Sequence, residues 1–495
     1  MSSVVPHPEQ AWTTGTAPGI FPFLGHAITL FRQPLAFLTS LPAHGDLVEV
    51  RLGPQRAWMA CHPELVHEIL MDPRTYDKGG PLYDKLRLLM GDGLVTSGQE
   101  AHRRQRRLVQ PSFRPSRIAD YAETMGEEAE LECRQWQPGE FDVSGALMAL
   151  TTQVTSRVLL SDSLDAATAA EVRDCLAVIV RGLFVRMVAP IDALFRIPTP
   201  ANRRYRRALD RLHTIIDSAI EERRAGAPRN DLLGTLLGTG GSNGGATALT
   251  EQEVHDQLIT LLLTGVEAPA LCLASAFRLL AAHPEVERRV HREVDAVLAG
   301  RRRPRPDDLP HLVYTRCVVD ETLRMYPPGW LFTRITTTDT NLAGRRLPRG
   351  TTVLYSPYLL HHDPVSFPDP DRFVPERWLP GQEATVPNGA MLPFAAGNRK
   401  CMGDTFAMAE ATLAIAAIAS RWRLRSLPGC AEQPVPAVTL GHRSLVMICE
   451  PRSRTLVGEP SRGSSRECSV APPVQDAPQV PEDSRTAGDE GVCDA

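Results

Sequence analysis

Residues 394–403 read Phe-Ala-Ala-Gly-Asn-Arg-Lys-Cys-Met-Gly and lead straight into a stretch, Asp404 to Arg421, rich in Ala, Met, Glu and Leu and free of Gly and Pro. That composition makes a helix. Its N-terminus aims a partial positive charge back at Cys401, and Arg399 adds a permanent charge two residues away. Both favour thiolate over thiol. Gly397 and Gly403 open backbone conformations closed to residues with a Cβ and let the chain approach a flat partner closely. A sulfur held this way is either a nucleophile or a metal ligand, and the remaining chain must frame it.

The totals exclude several classes. Against 58 acidic residues stand 54 basic ones, a net charge of −4, so no general affinity for nucleic acid or anionic membrane is expected. Ten cysteines are scattered without Cys-x-x-Cys or zinc-like spacing. At this length such a scatter is no disulfide framework, and it implies a reducing compartment, the cytoplasm. The apolar stretch Ile20 to Phe31 is broken by Pro22, Gly25 and His26 and is not a signal peptide. Leu258 to Phe277 contains Glu267 and Pro269 and reads as a core helix rather than a membrane span.

Taken in order, residues 1–17 read as a mobile leader, 18–455 as a single large domain, and 456–495, rich in Pro, Ser, Glu and Gly, as a disordered tail. The domain starts with a short helix, Pro34 to Ala43, a hairpin of Leu47 to Leu52 with Ala57 to Cys61, and a helix Pro63 to Met71. An irregular, glycine-dotted segment, Tyr76 to Gln99, surrounds a short helix Leu82 to Met90; such segments often line pockets. Glu100 to Pro111 is strongly basic. Helices then follow at Ile118 to Gln135, Val143 to Leu160, Ala166 to Val188 and Ala201 to Gly226. Between the last two, Ala189 to Pro200 suits either a lid over an apolar pocket or an ordinary packed loop, and Gly238 to Ala246 is a linker.

Thr250, with Glu253 three residues on, forms a capping box that opens the longest helix, which Pro284 ends. Helices Glu285 to Leu298 and Leu309 to Met325 come next. Short strands are expected at Thr333 to Thr336, Arg345 to Leu347, Thr352 to Tyr355, Trp422 to Leu427 and Ser444 to Cys449, with a Pro/Asp-rich meander, Asp363 to Pro380, before the cysteine loop. The fold class is mainly α with a small β portion.

Phe394, Gly397, Arg399, Cys401 and Gly403 together satisfy Phe-x-x-Gly-x-Arg-x-Cys-x-Gly, which resembles the haem-binding loop of the cytochromes P-450. Upstream, Glu321-Thr-Leu-Arg324 resembles the family's Glu-x-x-Arg helix, and Phe373 to Trp378 its meander, whose arginine, Arg377, completes a triad. His102 and Arg106 match the helix that binds haem propionates in that family, and Arg334 stands where a third propionate ligand is common. The likeness spans roughly residues 18–450, and details such as the His-Arg-Arg-Gln-Arg-Arg stretch are most similar to bacterial enzymes of sesquiterpene pathways.

The resemblance implies a single-domain cytochrome P-450 fold, haem b with Cys401 as axial ligand of the iron, and a monooxygenase that inserts oxygen from O2 into a small hydrophobic terpenoid. It further implies electrons from NAD(P)H passed by ferredoxin reductase and ferredoxin, since no flavin or iron–sulfur domain is fused, and a monomer. Arg103, Arg104 and Arg107 are either a ferredoxin docking patch or solubilising charge. A polyketide, macrolide or fatty-acid substrate is the alternative among enzymes.

One motif departs from the family. Where Ala/Gly-Gly-x-Asp/Glu-Thr is usual, the long helix reads Thr264-Gly265-Val266-Glu267-Ala268-Pro269. Ala268 replaces the threonine whose hydroxyl helps pass protons. Pro269 lacks the N–H that would bond to the Gly265 carbonyl, so it should kink the helix and free that carbonyl for a water or a substrate hydroxyl. Catalysis is therefore assigned to Glu267 with ordered water, beside Ala268 and Gly265. Loss of oxygen activation, leaving a haem-binding sensor or scaffold, is the alternative these two residues support. Leu86, Leu89, Leu94, Phe184, Val266, Ala268, Leu331 and Phe332 are the candidate pocket residues.

Overall fold

The computed structural model describes residues 11–452 apart from 161–164, 189–191, 227–231, 239–248, 383–385, 388, 429–432 and 443. The expected tail, nearly all of the linker and the first ten residues of the expected leader lie outside the described residues.

The central helix, Glu251–Ala282, begins as its sequence dictates: the Thr250 hydroxyl accepts the Glu253 N–H, and the Glu253 carboxylate accepts the Thr250 N–H at 2.9 Å. Beyond the first turn its side chains are buried on nearly every face, as a helix that is apolar all round requires. By length and composition it would cross a membrane, but 78% of its most apolar window is buried inside the protein, so it is a core helix. The helix Val143–Leu160 packs along it. On its other side lie the ion-pair helix, Val313–Met325, and the cysteine helix, Asp404–Ala419. One continuous core joins the C-terminal half of the central helix to these elements, and a second joins its N-terminal half to Ala166–Val188 and Pro200–Ala225.

A six-stranded sheet forms the flank, in the order Thr14–Thr16, Leu47–Leu52, Gln55–Ala60, Thr352–Tyr355, Phe332–Thr336, Tyr76–Asp77. Its first strand shortens the expected leader: Thr14 to Thr16 run parallel to Leu47 to Glu49, anchored where the Thr13 N–H and hydroxyl donate to the Asp46 carboxylate. Three residues are too few to show periodicity. Gly139–Asp142, also unforeseen, adds an edge to the sheet of Trp422–Ser426 and Val446–Pro451. The other expected helices and strands occur within a few residues of their anticipated limits.

Thr250→Ala removes the acceptor for the Glu253 N–H and should destabilise the protein by about 1 kcal/mol. Urea titration followed by far-UV circular dichroism checks this, and an unchanged midpoint contradicts it.

Candidate active site

The cysteine loop is closed by the Cys401 N–H donating to the Phe394 carbonyl at 2.8 Å and the Lys400 N–H donating to Gly397 at 3.0 Å. Gly397 has φ +66°, and a Cβ there would meet the Leu70 carbonyl oxygen at 2.2 Å, so no other residue fits. Gly403 differs from expectation. Its φ of −91° is open to any residue, and although it lines the cavity before Cys401, a Cβ there would meet nothing nearer than Phe113 Cε1 at 3.8 Å.

The Cys401 side chain is exposed to the interior of that cavity yet sits deep within the protein. Burial pushes its thiol pKa up; the Gly403 N–H pulls down, the Asp404 charge up, and Lys78 and Arg106 down. Net stabilisation of the free thiolate, expected from the helix dipole and Arg399, is thus outweighed by desolvation. Arg399 is occupied elsewhere, donating to the Ser97 carbonyl at 2.9 Å and to the Asp77 carboxylate. Coordination to a metal cation removes the thiol proton outright, so burial does not prevent ligation.

Behind the loop, Glu321 and Arg324 are both fully buried. Glu321 accepts two hydrogen bonds from Arg324 at 2.9 Å, one from the Val374 N–H at 3.0 Å and one from the Trp378 indole at 2.8 Å. Arg377 completes the triad by ionic contact, its Nε 3.4 Å from Glu321, while its Nη2 donates to the Pro368 and Asp369 carbonyls. Arg324 also donates to the His361 carbonyl at 2.9 Å. His361 in turn must carry its proton on Nδ1, since that atom faces the Arg324 carbonyl at 3.1 Å while Nε2 accepts the Leu392 N–H at 2.8 Å. Helix, meander and cysteine loop are thereby one bonded unit.

A cavity of about 400 Å³, within the range of small-molecule sites, opens in front of Cys401. His102, Arg106, Arg334 and Arg399 line it together, as anticipated, and Phe394 joins them. Lys78, absent from the sequence-based set, lines it too; it follows the Tyr76–Asp77 edge strand in a segment that carries no motif. Burial, then Arg334 and Arg399, force the Lys78 pKa well below its ordinary value. Burial, followed by Arg399, Lys78, Arg106 and Arg334, drives His102 to about 3. Arg334 is held by the Thr333 carbonyl at 2.9 Å and the Tyr355 hydroxyl at 3.2 Å. Such crowding of like charge, with the Asp77 carboxylate paired to Arg399, calls for an anionic guest.

The opposite wall is the central helix, which contributes Thr264, Gly265, Glu267, Ala268 and Pro269. It runs through Pro269 without interruption. The Gly265 carbonyl is not free, contrary to expectation: the Thr155 hydroxyl donates to it at 3.1 Å, and Thr151 donates to the Val266 carbonyl at 2.9 Å. Nothing in the linear sequence pairs residues 110 apart.

Of the candidate pocket residues, Leu94, Ala268 and Phe332 line the cavity. Leu86, Leu89 and Val266 are instead buried in helix packing, Leu331 packs against the sheet core, and Phe184 lies outside the lining, where Val180 and Leu183 take its place. Helical spacing alone cannot tell a core face from a pocket face. Arg104 is tied to Glu253 of the central helix, which removes it from the expected docking patch, whereas Arg103 and Arg107 are exposed. No described residue of the 189–200 loop lines the cavity, and Leu194 and Ile197 face solvent.

A flat anionic metal chelate would fit this donor set: Lys78, His102, Arg106, Arg334 and Arg399 could hold its carboxylates and Cys401 its metal, with apolar side chains lining the rest of the cavity. These are the features of a haem-thiolate protein. Residues 16–451 match the family model described as Cytochrome P450, and the chain belongs to that family. It is a cytochrome P450 monooxygenase. It is 51% identical over 90% of its length to cyclooctat-9-en-7-ol 5-monooxygenase of Streptomyces melanosporofaciens, covering 97% of that protein. With cyclooctatin synthase of the same organism it shares 48% identity over 89% of its length and 96% of the relative's, and with pentalenene oxygenase of Streptomyces avermitilis 42% over 88% and 96%. The crystal structure of the cytochrome P450DA haem domain superposes with a TM-score of 0.79 over 90% of this chain and 99% of that one; at 23% identity it bears on the fold alone.

His361 and His291 are both pushed by burial from an ordinary 6.5 to about 3. The unfolded chain therefore binds more protons in this window, so their contribution is whole above pH 6.5 and is lost as pH falls towards 3. Denaturant midpoints measured between pH 7 and 4 should decline, and His361→Gln, which cannot charge, should flatten part of that slope; an equally steep variant contradicts the assignment.

Proposed function

We propose that this enzyme hydroxylates, or serially oxidises, a cyclic terpenoid, and that Cys401 would hold the iron of haem b. The observation that carries the reading is the position of the Cys401 loop beneath a cationic rim and opposite an apolar chamber. When bound, haem would supply reductive O2 cleavage: one oxygen atom enters a substrate C–H bond and the other leaves as water, with two electrons from NAD(P)H and two protons, one of them drawn from solvent.

The protein's own residues do the rest. Arg106, Arg334, Arg399, His102 and Lys78 would hold the propionates, and Phe394, Gly397 and Gly403 would keep the cysteine loop close to the group. Leu94, Val180, Leu183 and Phe332 exclude water and give a hydrocarbon skeleton apolar contact. The names of the relatives support the substrate class, one joining an alcohol and another a hydrocarbon of cyclic terpenoid type. Sesquiterpenes are the first class to test. Glu267, buried in the chamber wall, relays a proton from its carboxyl through ordered water, because Ala268 has no hydroxyl to do so.

Electrons come from ferredoxin and its reductase. Exposed Arg103 and Arg107, on the helix whose Arg106 donates to the Lys400 carbonyl at 2.7 Å, offer docking charge on the cysteine side. A cytoplasmic monomer is proposed: the described cysteines are free thiols, the form a reducing compartment keeps.

Three measurements test the reading. The reduced, carbon monoxide-treated protein should absorb at the haem-thiolate position and Cys401→His should not; the same spectrum in both refutes the ligand. Incubation with ferredoxin, reductase and a terpenoid panel should give oxygenated products, and turnover of fatty acids alone overturns the substrate class. Ala268→Thr should leave product formed per NAD(P)H consumed unchanged or lower. A large gain in that ratio would mean the wild-type relay is impaired rather than adapted.

A further inference from the structure

Pro269 lies inside the central helix and has no N–H, so the Gly265 carbonyl loses its helical donor. A partly buried carbonyl in a cavity wall is best served by another donor. The neighbouring helix provides it through Thr155, whose hydroxyl lies 3.1 Å from that oxygen, while Thr151, one turn earlier on the same face, reaches Val266 at 2.9 Å. Both threonines are buried. Glycine eases the approach: a Cβ at residue 265 would stand 3.0 Å from Thr155 Cγ2 and 3.2 Å from its hydroxyl, closer than side chains ordinarily pack.

We propose that Thr155, Gly265 and Pro269 are one positioning unit, in which the Thr155 hydroxyl replaces the amide that Pro269 removed and fixes the turn presenting Glu267 to the chamber. Thr155 is a positioning residue; it acts through the Gly265 carbonyl. The helix ladder would ordinarily set where Glu267 points. Here that ladder is broken one residue past Ala268, and a side chain from another helix sets it instead. Each part contributes: without the proline the carbonyl has a helical donor, and without the glycine the threonine is crowded away from its present position. The role in turnover rests on the monooxygenase reading above, whereas the hydrogen-bond exchange itself does not.

The test compares Thr155→Val, Thr155→Ser, Pro269→Ala and the Thr155→Val/Pro269→Ala double variant. Valine keeps the shape of threonine and loses the donor; serine keeps the donor; Pro269→Ala returns the backbone N–H. In substrate-free protein, amide hydrogen exchange over residues 265–272 should quicken in Thr155→Val, stay near wild type in Thr155→Ser, and recover in the double variant. Product formed per NAD(P)H consumed should fall about fivefold in Thr155→Val, the ratio one ordinary hydrogen bond supports, and recover alongside. Recovery of exchange without recovery of coupling reduces Thr155 to a structural cap and overturns the positioning role. Thr155→Val with wild-type exchange overturns the unit altogether. Should no terpenoid be turned over even by wild type, the substrate reading fails while exchange still decides whether the unit exists.

Discussion

The carboxylate of Glu321 is the point on which the site depends. Two charges at zero exposure are costly to desolvate, and such a pair is tolerated only when its remaining hydrogen-bonding capacity is used. Here Arg324, Val374 and Trp378 donate to the carboxylate, and Arg324 spends its other N–H groups on the carbonyls of His361 and Arg372. Val374, Trp378 and Arg372 all belong to a segment with little regular structure of its own. The ion pair therefore does for the meander what a sheet ladder does for a strand. Through His361 and Leu392 the same network reaches the chain two residues before Phe394. A cysteine loop that must hold a large planar group needs a rigid back, and this one is made of polar bonds.

In front of the loop the electrostatics are opposite in kind. Glu321 is satisfied by its neighbours, whereas the rim of the cavity concentrates Lys78, His102, Arg106, Arg334 and Arg399 with Asp77 as their carboxylate. Mutual repulsion and burial push His102 and Lys78 towards their neutral forms. Such a rim is incomplete by itself and is built for a guest with negative charge. The apolar chamber beyond it makes the complementary demand, for a guest without charge. One molecule with a carboxylate edge and a second that is hydrocarbon meet both demands, and the boundary between the two surfaces is where Cys401 faces the central helix.

How legible these features were depended on their range in sequence. The Thr250 capping box, the Pro63–Met71 helix and the hairpin Leu47–Leu52 with Gln55–Ala60 are local patterns, and each appears where its residues place it. Motifs with fixed spacing, Glu321 to Arg324 and Phe394 to Gly403, were equally plain because their chemistry is confined to a few residues. What stayed hidden was long in range or lacked a period. Lys78 sits in an irregular segment and gains its place only when Tyr76–Asp77 joins the far edge of the sheet. Val180 and Leu183 rather than Phe184 face the cavity because a helix buried on several sides carries no mark distinguishing pocket from core. Arg104 looked like its basic neighbours until its partner, Glu253, arrived from 149 residues away.

The central helix shows the same limit in its most consequential form. Read alone, Ala268 and Pro269 are two losses: a hydroxyl gone from the wall and an amide gone from the ladder. In three dimensions the carbonyl that the second loss leaves without its helical donor is bonded by the Thr155 hydroxyl, packed close against Gly265. A helix whose geometry is set across an interface differs from one set by its own backbone, because its orientation then depends on the packing of Val143–Leu160. Packed interfaces of this kind resist continuous deformation. The acid beside the missing hydroxyl thus sits on a turn tied to a second helix as well as to its own backbone.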